Sequence, residues 1–136
     1  MGQQQLLLII LGVIVVGIAV AVGITMFKDN AVSSNRDAVT NDLVNLAARA
    51  QQFFRRPTML GGGQGSFTNL TDLKMLTSMP NGTNANGAYT LQTGTGLGPI
   101  SVTGVGVETG NDGTNPVKVV MQVWADSAKV DQTKTN

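Results

Sequence analysis

Few residues in this chain of 136 could carry out chemistry, and they are scattered. Cysteine and histidine are absent, so the chain lacks thiolate and imidazole metal ligands and also the common general base at neutral pH. The eight acidic side chains are spread thinly, and no serine has a histidine partner. We find no nucleophile constellation, and we therefore expect neither an enzyme nor a cofactor site.

The acidic turn at residues 108–113 is the one weak candidate for a metal site. It reads ETGNDG, and Glu108 and Asp112 could offer oxygen ligands to calcium. A calcium loop usually needs more acidic positions at regular spacing. Turn chemistry therefore favours an ordinary turn at this place.

Two further motifs lie in the polar part of the chain. Residues 61–66 are rich in glycine, but a phosphate-binding loop needs a preceding strand, a following helix and usually a lysine, so we interpret them as a connector. Glycosylation sequons begin at Asn69 and Asn81, a pattern that also arises by chance in a chain rich in Asn and Thr. Neither motif identifies a function.

Charge is distributed very unevenly along the chain. Charged residues make up 12% of it, the net charge is +1, and residues 1–27 contain no charged side chain. Because the basic residues form no cluster, we expect no nucleic-acid partner. The shortage of charge instead directs attention to the N-terminal segment.

Residues 6–27 form an apolar segment in which Thr25 is the only polar side chain. As a helix it would be about 33 Å long, against a hydrocarbon core of about 30 Å in a bilayer. Three interpretations compete. The segment could be a cleaved secretory signal with a cleavage site near Ala19-Val20-Ala21, an ordinary single-pass anchor, or a helix that leaves the bilayer to form the core of a polymer.

The helical pattern continues beyond the apolar segment. Residues 28–56 contain neither proline nor glycine, and Pro57 then ends the helix. Apolar residues at spacings of 7, 4, 3, 4 and 3 keep one stripe on one face. They are Val32, Val39, Leu43, Leu46, Ala50 and Phe53. We therefore predict a single helix with an apolar half, residues 1–27, and an amphipathic half, residues 28–56.

A small sheet is expected after a glycine-rich connector at residues 57–87. Residues 71–79 suggest a short helical turn capped by Thr71, with Leu73 and Leu76 pointing inward. Alternating apolar residues predict strands over 88–93, 100–107 and 117–125, with a bulge near Thr103–Gly104. We predict an antiparallel meander of three or four strands at 88–125, covered by the amphipathic helix, then a polar tail at 126–136. This is an α+β fold.

The plan as a whole resembles type IV pilins and the pseudopilins of type II secretion. The resemblance rests on an apolar N-terminal helix, an amphipathic continuation that ends AARAQQFFRRP, a glycine-rich connector and a β-meander head. It implies a precursor with a short basic leader, which a prepilin peptidase cuts after a glycine before methylating the new N-terminus. Met1 would be that terminus, or Gln3 if the cut follows Gly2. Gln5 would then occupy the position where the family carries Glu, and it brings no charge.

The resemblance also implies partners and a location. The chain would wait in the inner membrane, meet the prepilin peptidase and the pilus assembly machinery, and then join copies of itself in an extracellular filament. The alternatives are a secretion pseudopilin that acts as a piston and a single-pass membrane-anchored binding domain. The expected assembly residues are Met1, Gln5, Gly12, Gly17, Ala19, Gly23 and Phe27. Ala19 and Gly23 form a small-xxx-small pair that permits close helix approach.

Overall fold

A computed structural model describes residues 2–131 and residue 135 of the chain. One long helix, α1 (Gly2–Arg55), precedes three short 3₁₀ turns and four strands. The turns are Thr58–Leu60, Leu73–Met75 and Pro80–Gly82, and the strands are β1 (Gly87–Gln92), β2 (Ile100–Thr109), β3 (Pro116–Val123) and β4 (Ala128–Val130). The long helix and the antiparallel sheet confirm the predicted α+β architecture.

Helix α1 continues without a break from the apolar half into the amphipathic half. It ends just before Pro57, whose ring fixes φ near −60° and whose nitrogen offers no donor. The chain then folds back on the helix terminus: the Gly63 and Gly65 amides donate to the carbonyls of Phe53 and Phe54 at 2.8 and 2.7 Å. These bonds use carbonyls that a helix end otherwise leaves unpaired.

The sheet is an antiparallel meander in the order β1-β2-β3-β4, and every strand pairs with its neighbour in sequence. Strand β4 lies in the segment 126–136 that we expected to be a polar tail. It pairs with the last residues of β3, from Met121↔Val130 to Val123↔Ala128. At least the first part of this segment therefore extends the sheet, whereas residues 132–134 and 136 lie outside the described part.

The predicted bulge near Thr103–Gly104 is wrong. Pairing between β2 and β3 runs in register from Ile100 to Val105, and the register shifts only between Val105 and Thr109. The misplacement has a simple cause, because Gly104 and Gly106 occupy the buried face where apolar side chains were expected. A Cβ at Gly104 would lie 2.5 Å from Cγ1 of Val39, so glycine is what allows α1 to approach β2.

The core lies between the amphipathic half of α1 and one face of the sheet. The helix stripe is confirmed: Val39, Leu43, Leu46, Ala50 and Phe53 are buried, and Val32 packs at the edge. From the sheet come Ile100, Val102, Val117, Val119, Met121 and Val123, which alternate along β2 and β3 as predicted. The core therefore begins at Val32 and contains no residue of the apolar half.

The connector contributes to this core. Phe67 and Leu70 are fully buried, and the rings of Phe54 and Phe67 lie 4.8 Å apart. Leu73 and Leu76 point inward as predicted, but the cap of their turn is Asp72, whose carboxylate accepts from the Lys74 amide at 3.0 Å. Thr71 was the wrong choice because an Asx cap reaches the amide two residues on.

Candidate assembly surface

The apolar half of α1 is left almost entirely uncovered by the described part of the chain. Its most apolar 18-residue window has a mean hydropathy of 3.2 and is 0% buried, so the helix is long and apolar enough to cross a membrane. Large side chains on every side of it are exposed, from Leu6 at 61% to Phe27 at 79%. A helix that is apolar all round requires an apolar environment on every side, and this head does not supply one.

The predicted assembly residues lie along this exposed half. Gln5, Gly12, Gly17, Ala19 and Phe27 are exposed and Gly23 is half-exposed, whereas Met1 lies outside the described residues. A Cβ added at Gly12, Gly17 or Gly23 would meet no atom within 4 Å. No contact within the described chain therefore requires glycine at these three positions, although each costs the helix up to about 1 kcal/mol relative to alanine.

A cluster of polar side chains, which we call the polar clamp, joins the amphipathic half of α1 to the start of the sheet. It consists of Asn35, Asp42, Asn84, Asn86 and Tyr89. One carboxylate oxygen, Oδ2 of Asp42, accepts three hydrogen bonds. The side-chain amides of Asn84 and Asn86 donate to it, each at 2.8 Å, and the Tyr89 hydroxyl donates at 2.6 Å. The side-chain amide of Asn35 donates to the backbone carbonyl of Asn86 at 2.9 Å. The clamp fixes the direction in which α1 leaves the head.

The clamp perturbs the acidity of two of its members, both far from the apolar half. Burial alone would raise the pKa of Asp42, but hydrogen bonds from Asn86, Tyr89 and Asn84 together hold that pKa below its usual value of 3.8. Burial raises the pKa of Tyr89, and the negative charge and hydrogen bond of Asp42 raise it further. At neutral pH the clamp is therefore a carboxylate that accepts from a neutral phenol.

Sequence reasoning missed the clamp because it assigned only the apolar stripe of the helix to the contact with the sheet. The available signal was the spacing of Asn35, Val39 and Asp42, which places all three on one face of α1 at i, i+4 and i+7. Polar residues in line with an apolar stripe indicate a polar contact at the edge of the core. Gly106 supports this contact, because a Cβ there would collide with Oδ1 of Asn35.

The weak calcium candidates are Glu108, near the end of β2, and Asp112, in the turn that leads to β3. Oδ1 of Asp112 accepts from the amides of Thr114 and Asn115 at 3.0 and 2.9 Å, and Oδ2 accepts from the Asn115 side chain at 2.7 Å. Glu108 is exposed at the end of β2. Within the described part of the chain, no three acidic side chains gather as metal ligands would. The Asp112 carboxylate thus builds an Asx-type turn.

A cleft of about 680 Å³ opens where the apolar half meets the head. The helix side of this base cleft is formed by Phe27, Lys28, Asp29, Ala31 and Val32, and the turn side by Glu108, Thr109, Gly110, Asn111 and Gly113. Its lining combines the apolar side chains of Phe27, Ala31 and Val32 with charged side chains from both the helix and the turn. This cleft faces the end of the head from which the apolar half emerges.

The opposite end of the head carries a second exposed apolar feature. We call residues 57–61, the 3₁₀ turn that follows α1, the tip turn. Met59 is 96% exposed and Leu60 69% exposed, and Arg55 and Arg56 are exposed just before them. The head thus has an apolar projection with basic neighbours at one end and a cleft at the other. Comparison of the chain with models of known protein families, with curated proteins and with solved structures found no match.

Proposed function

We propose that this chain is the structural subunit of a type IV pilus-like filament that polymerises through its N-terminal helix. The observation that carries the proposal is the apolar half of α1, which is continuous with the head-bearing half yet has its most apolar 18-residue window 0% buried by the described chain. Before assembly the same half would hold the chain in a membrane. In the filament, copies of the helix would replace lipid on every side.

The energetics favour an environment other than water for this half. Burying one large aliphatic or aromatic side chain is worth roughly 1.5–3 kcal/mol, so exposing all those of residues 6–27 costs on the order of tens of kcal/mol. A small domain has a total stability of only about 5–15 kcal/mol. Lipid or other copies of the chain must therefore surround the helix.

Two features favour copies of the chain over lipid alone as the final environment. First, Gly12, Gly17 and Gly23 weaken the helix without serving any contact in the described chain, whereas small residues let neighbouring helices approach closely. Second, no linker separates the apolar half from the head, since α1 continues to Arg55 and the polar clamp fixes its direction. Parallel copies bundled through their apolar halves would then all present their heads outward.

The test begins with cells that produce the full chain. Electron microscopy of sheared surface material should reveal filaments, and the intact mass of their subunit should locate the mature N-terminus at Met1 or Gln3 and reveal any methylation. Glycine 23 provides the sharper test: Gly23→Leu should impair filament formation while leaving membrane insertion intact. Val22→Leu, which introduces the same side chain at the neighbouring position without replacing a small residue, should leave filaments intact.

Three outcomes would count against the proposal or its parts. Undiminished filaments from the Gly23→Leu variant would exclude close helix packing at that residue. Short assemblies that appear only at high expression would favour the pseudopilin alternative. A chain that never polymerises and is extracted wholly as a monomer by mild detergent would instead be an anchored binding domain.

A further inference from the structure

We infer that copies of this chain make a second contact in which the tip turn of one head docks into the base cleft of the next. The inference rests on the proposed filament and adds an axial contact between heads to the packing of the apolar helices. It commits to one occupant for the cleft, namely residues 57–61 of another copy.

The tip turn is an exposed apolar projection with a defined structure. The Leu60 and Gly62 amides donate to the Pro57 carbonyl at 3.0 and 3.1 Å, and the Gly61 amide donates to Thr58 at 3.0 Å. Gly62 seats the turn on the helix end, since a Cβ there would collide with the backbone of Arg56. A structured turn loses little conformational entropy when it binds.

Met59 and Leu60 are 96% and 69% exposed, so packing within the described part of the chain does not hide them. Single exposed apolar residues are common on protein surfaces, but two large adjacent ones at the apex of an ordered turn form a compact docking group. Methionine suits this role because its flexible thioether adapts to irregular cavities.

The base cleft has the matching properties. Phe27, Ala31 and Val32 give it an apolar wall, and its volume of about 680 Å³ can admit two such side chains. Its lining includes Lys28, Asp29 and Glu108, one cation against two anions, whereas Arg55 and Arg56 adjoin the tip turn. The two surfaces therefore carry opposite net charge, which favours their encounter and fixes their register.

The geometry of the helix makes the contact heterologous. Val32 and Arg55 are separated by roughly 35 Å along α1 at about 1.5 Å per residue, so the cleft and the tip turn lie at opposite ends of the head. One chain cannot satisfy both surfaces by itself. A contact that joins one end of a subunit to the other end of an identical subunit generates an open helical filament when it does not close into a ring.

Disulfide formation between introduced cysteines in filaments tests this contact. No native thiol interferes, because the chain contains no cysteine. The full-length variant Met59→Cys/Asn111→Cys places one thiol on the tip turn and one in the lining of the cleft. Mild oxidation of its filaments should give a non-reducing ladder of dimers, trimers and longer species that reducing agent collapses. Each single variant should remain monomeric, and so should Met59→Cys/Thr90→Cys, whose second thiol lies on the exposed side of β1.

Each remaining outcome is decisive. Filaments without a ladder would overturn the docking contact and leave the filament proposal standing, whereas the absence of any polymer would overturn both. A dimer from Met59→Cys alone would indicate a symmetric tip-to-tip contact and overturn the heterologous one. Charge reversal provides the second measurement: Arg55→Glu/Arg56→Glu should abolish the ladder, and adding Asp29→Lys/Glu108→Arg should restore it. Failure of that restoration would exclude charge pairing between the two surfaces.

Discussion

Replacement of Asp42 by alanine should loosen the head from α1 more than any other change of an acidic side chain in the described part of the protein. The substitution removes one acceptor, Oδ2, from three donors on the turn before β1 and on β1 itself. The donors are not lost with it. Each donor must then bind water or remain unpaired, and this applies to the side-chain amides of Asn84 and Asn86 and to the partly buried Tyr89 hydroxyl.

The magnitude follows from the geometry of the clamp. A hydrogen bond to a charged group contributes roughly 1.5–3 kcal/mol. The three bonds share a single oxygen, and Asp42 itself is only half-buried, so their contributions do not add and solvent recovers part of the loss. We expect Asp42→Ala to lower the free energy of unfolding by about 2–4 kcal/mol and Asp42→Asn, which keeps an oxygen acceptor, by about 1–2 kcal/mol.

Urea unfolding of the full chain in mild detergent should measure this loss. Trp124 is the only tryptophan of the chain and is half-buried, and its carbonyl accepts from the Gln51 side chain of α1 at 3.3 Å. Its fluorescence should therefore follow the separation of sheet and helix. The matched control is Asp37→Ala, which removes an exposed carboxylate from the same stretch of α1 and should change stability by less than about 0.5 kcal/mol.

The pH dependence gives an independent check. The pKa of Asp42 is lower in the folded state than the value of about 3.9 in unfolded chains, so its stabilising contribution is present above about pH 4. That contribution is lost as the pH falls through the folded-state pKa. Asp42→Ala should therefore destabilise the head at pH 7 and matter progressively less below pH 4. If Asp42→Ala lowered the free energy of unfolding equally at pH 7 and below pH 4, or did not lower it at pH 7, the role of the clamp as the anchor of the helix would be refuted.

Two further predictions concern glycines. Gly104→Val should destabilise the head by roughly 1–3 kcal/mol or prevent its folding, because the new side chain enters the space of Val39 and Tyr89. Circular dichroism should detect this loss of stability. The control Thr103→Val, on the other face of β2, should have little effect on it. In the filament, the helix that is unbroken in the single chain should stretch or melt between Gly12 and Gly23, where the helix-weakening residues of the apolar half lie; a filament map with continuous helix through that span would contradict this.

The features predicted correctly from the sequence are those determined by periodicity. The helix stripe and the alternation in β2 and β3 were recovered because each follows from burying one face of a regular element. The end of α1 was placed within one residue because Pro57 imposes it. Strand β4 was missed because Ala128–Val130 is too short to show a period and pairs through its backbone.

The errors arose where glycine or a polar residue occupied a core-facing position. Gly104 and Gly106 carry no side chain, so the next apolar side chains in the sequence are Val105 and Val107, which lie on the outer face. This change of phase in the apolar pattern suggested a bulge that the strand does not contain. Asp42 was overlooked because only apolar residues were assigned to the helix–sheet contact, although its partners supply the hydrogen bonds that its position requires. Such contacts join residues more than 40 positions apart, and no local pattern reports them.

The two halves of α1 differ in how much of their apolar surface the described chain covers. Everything from Val32 to Phe53 that faces inward is covered by the sheet and the connector. The large apolar side chains before Lys28 stay exposed, and Gly12, Gly17 and Gly23 among them have open space around them. The apolar surface before Lys28 is therefore available for an environment outside the chain.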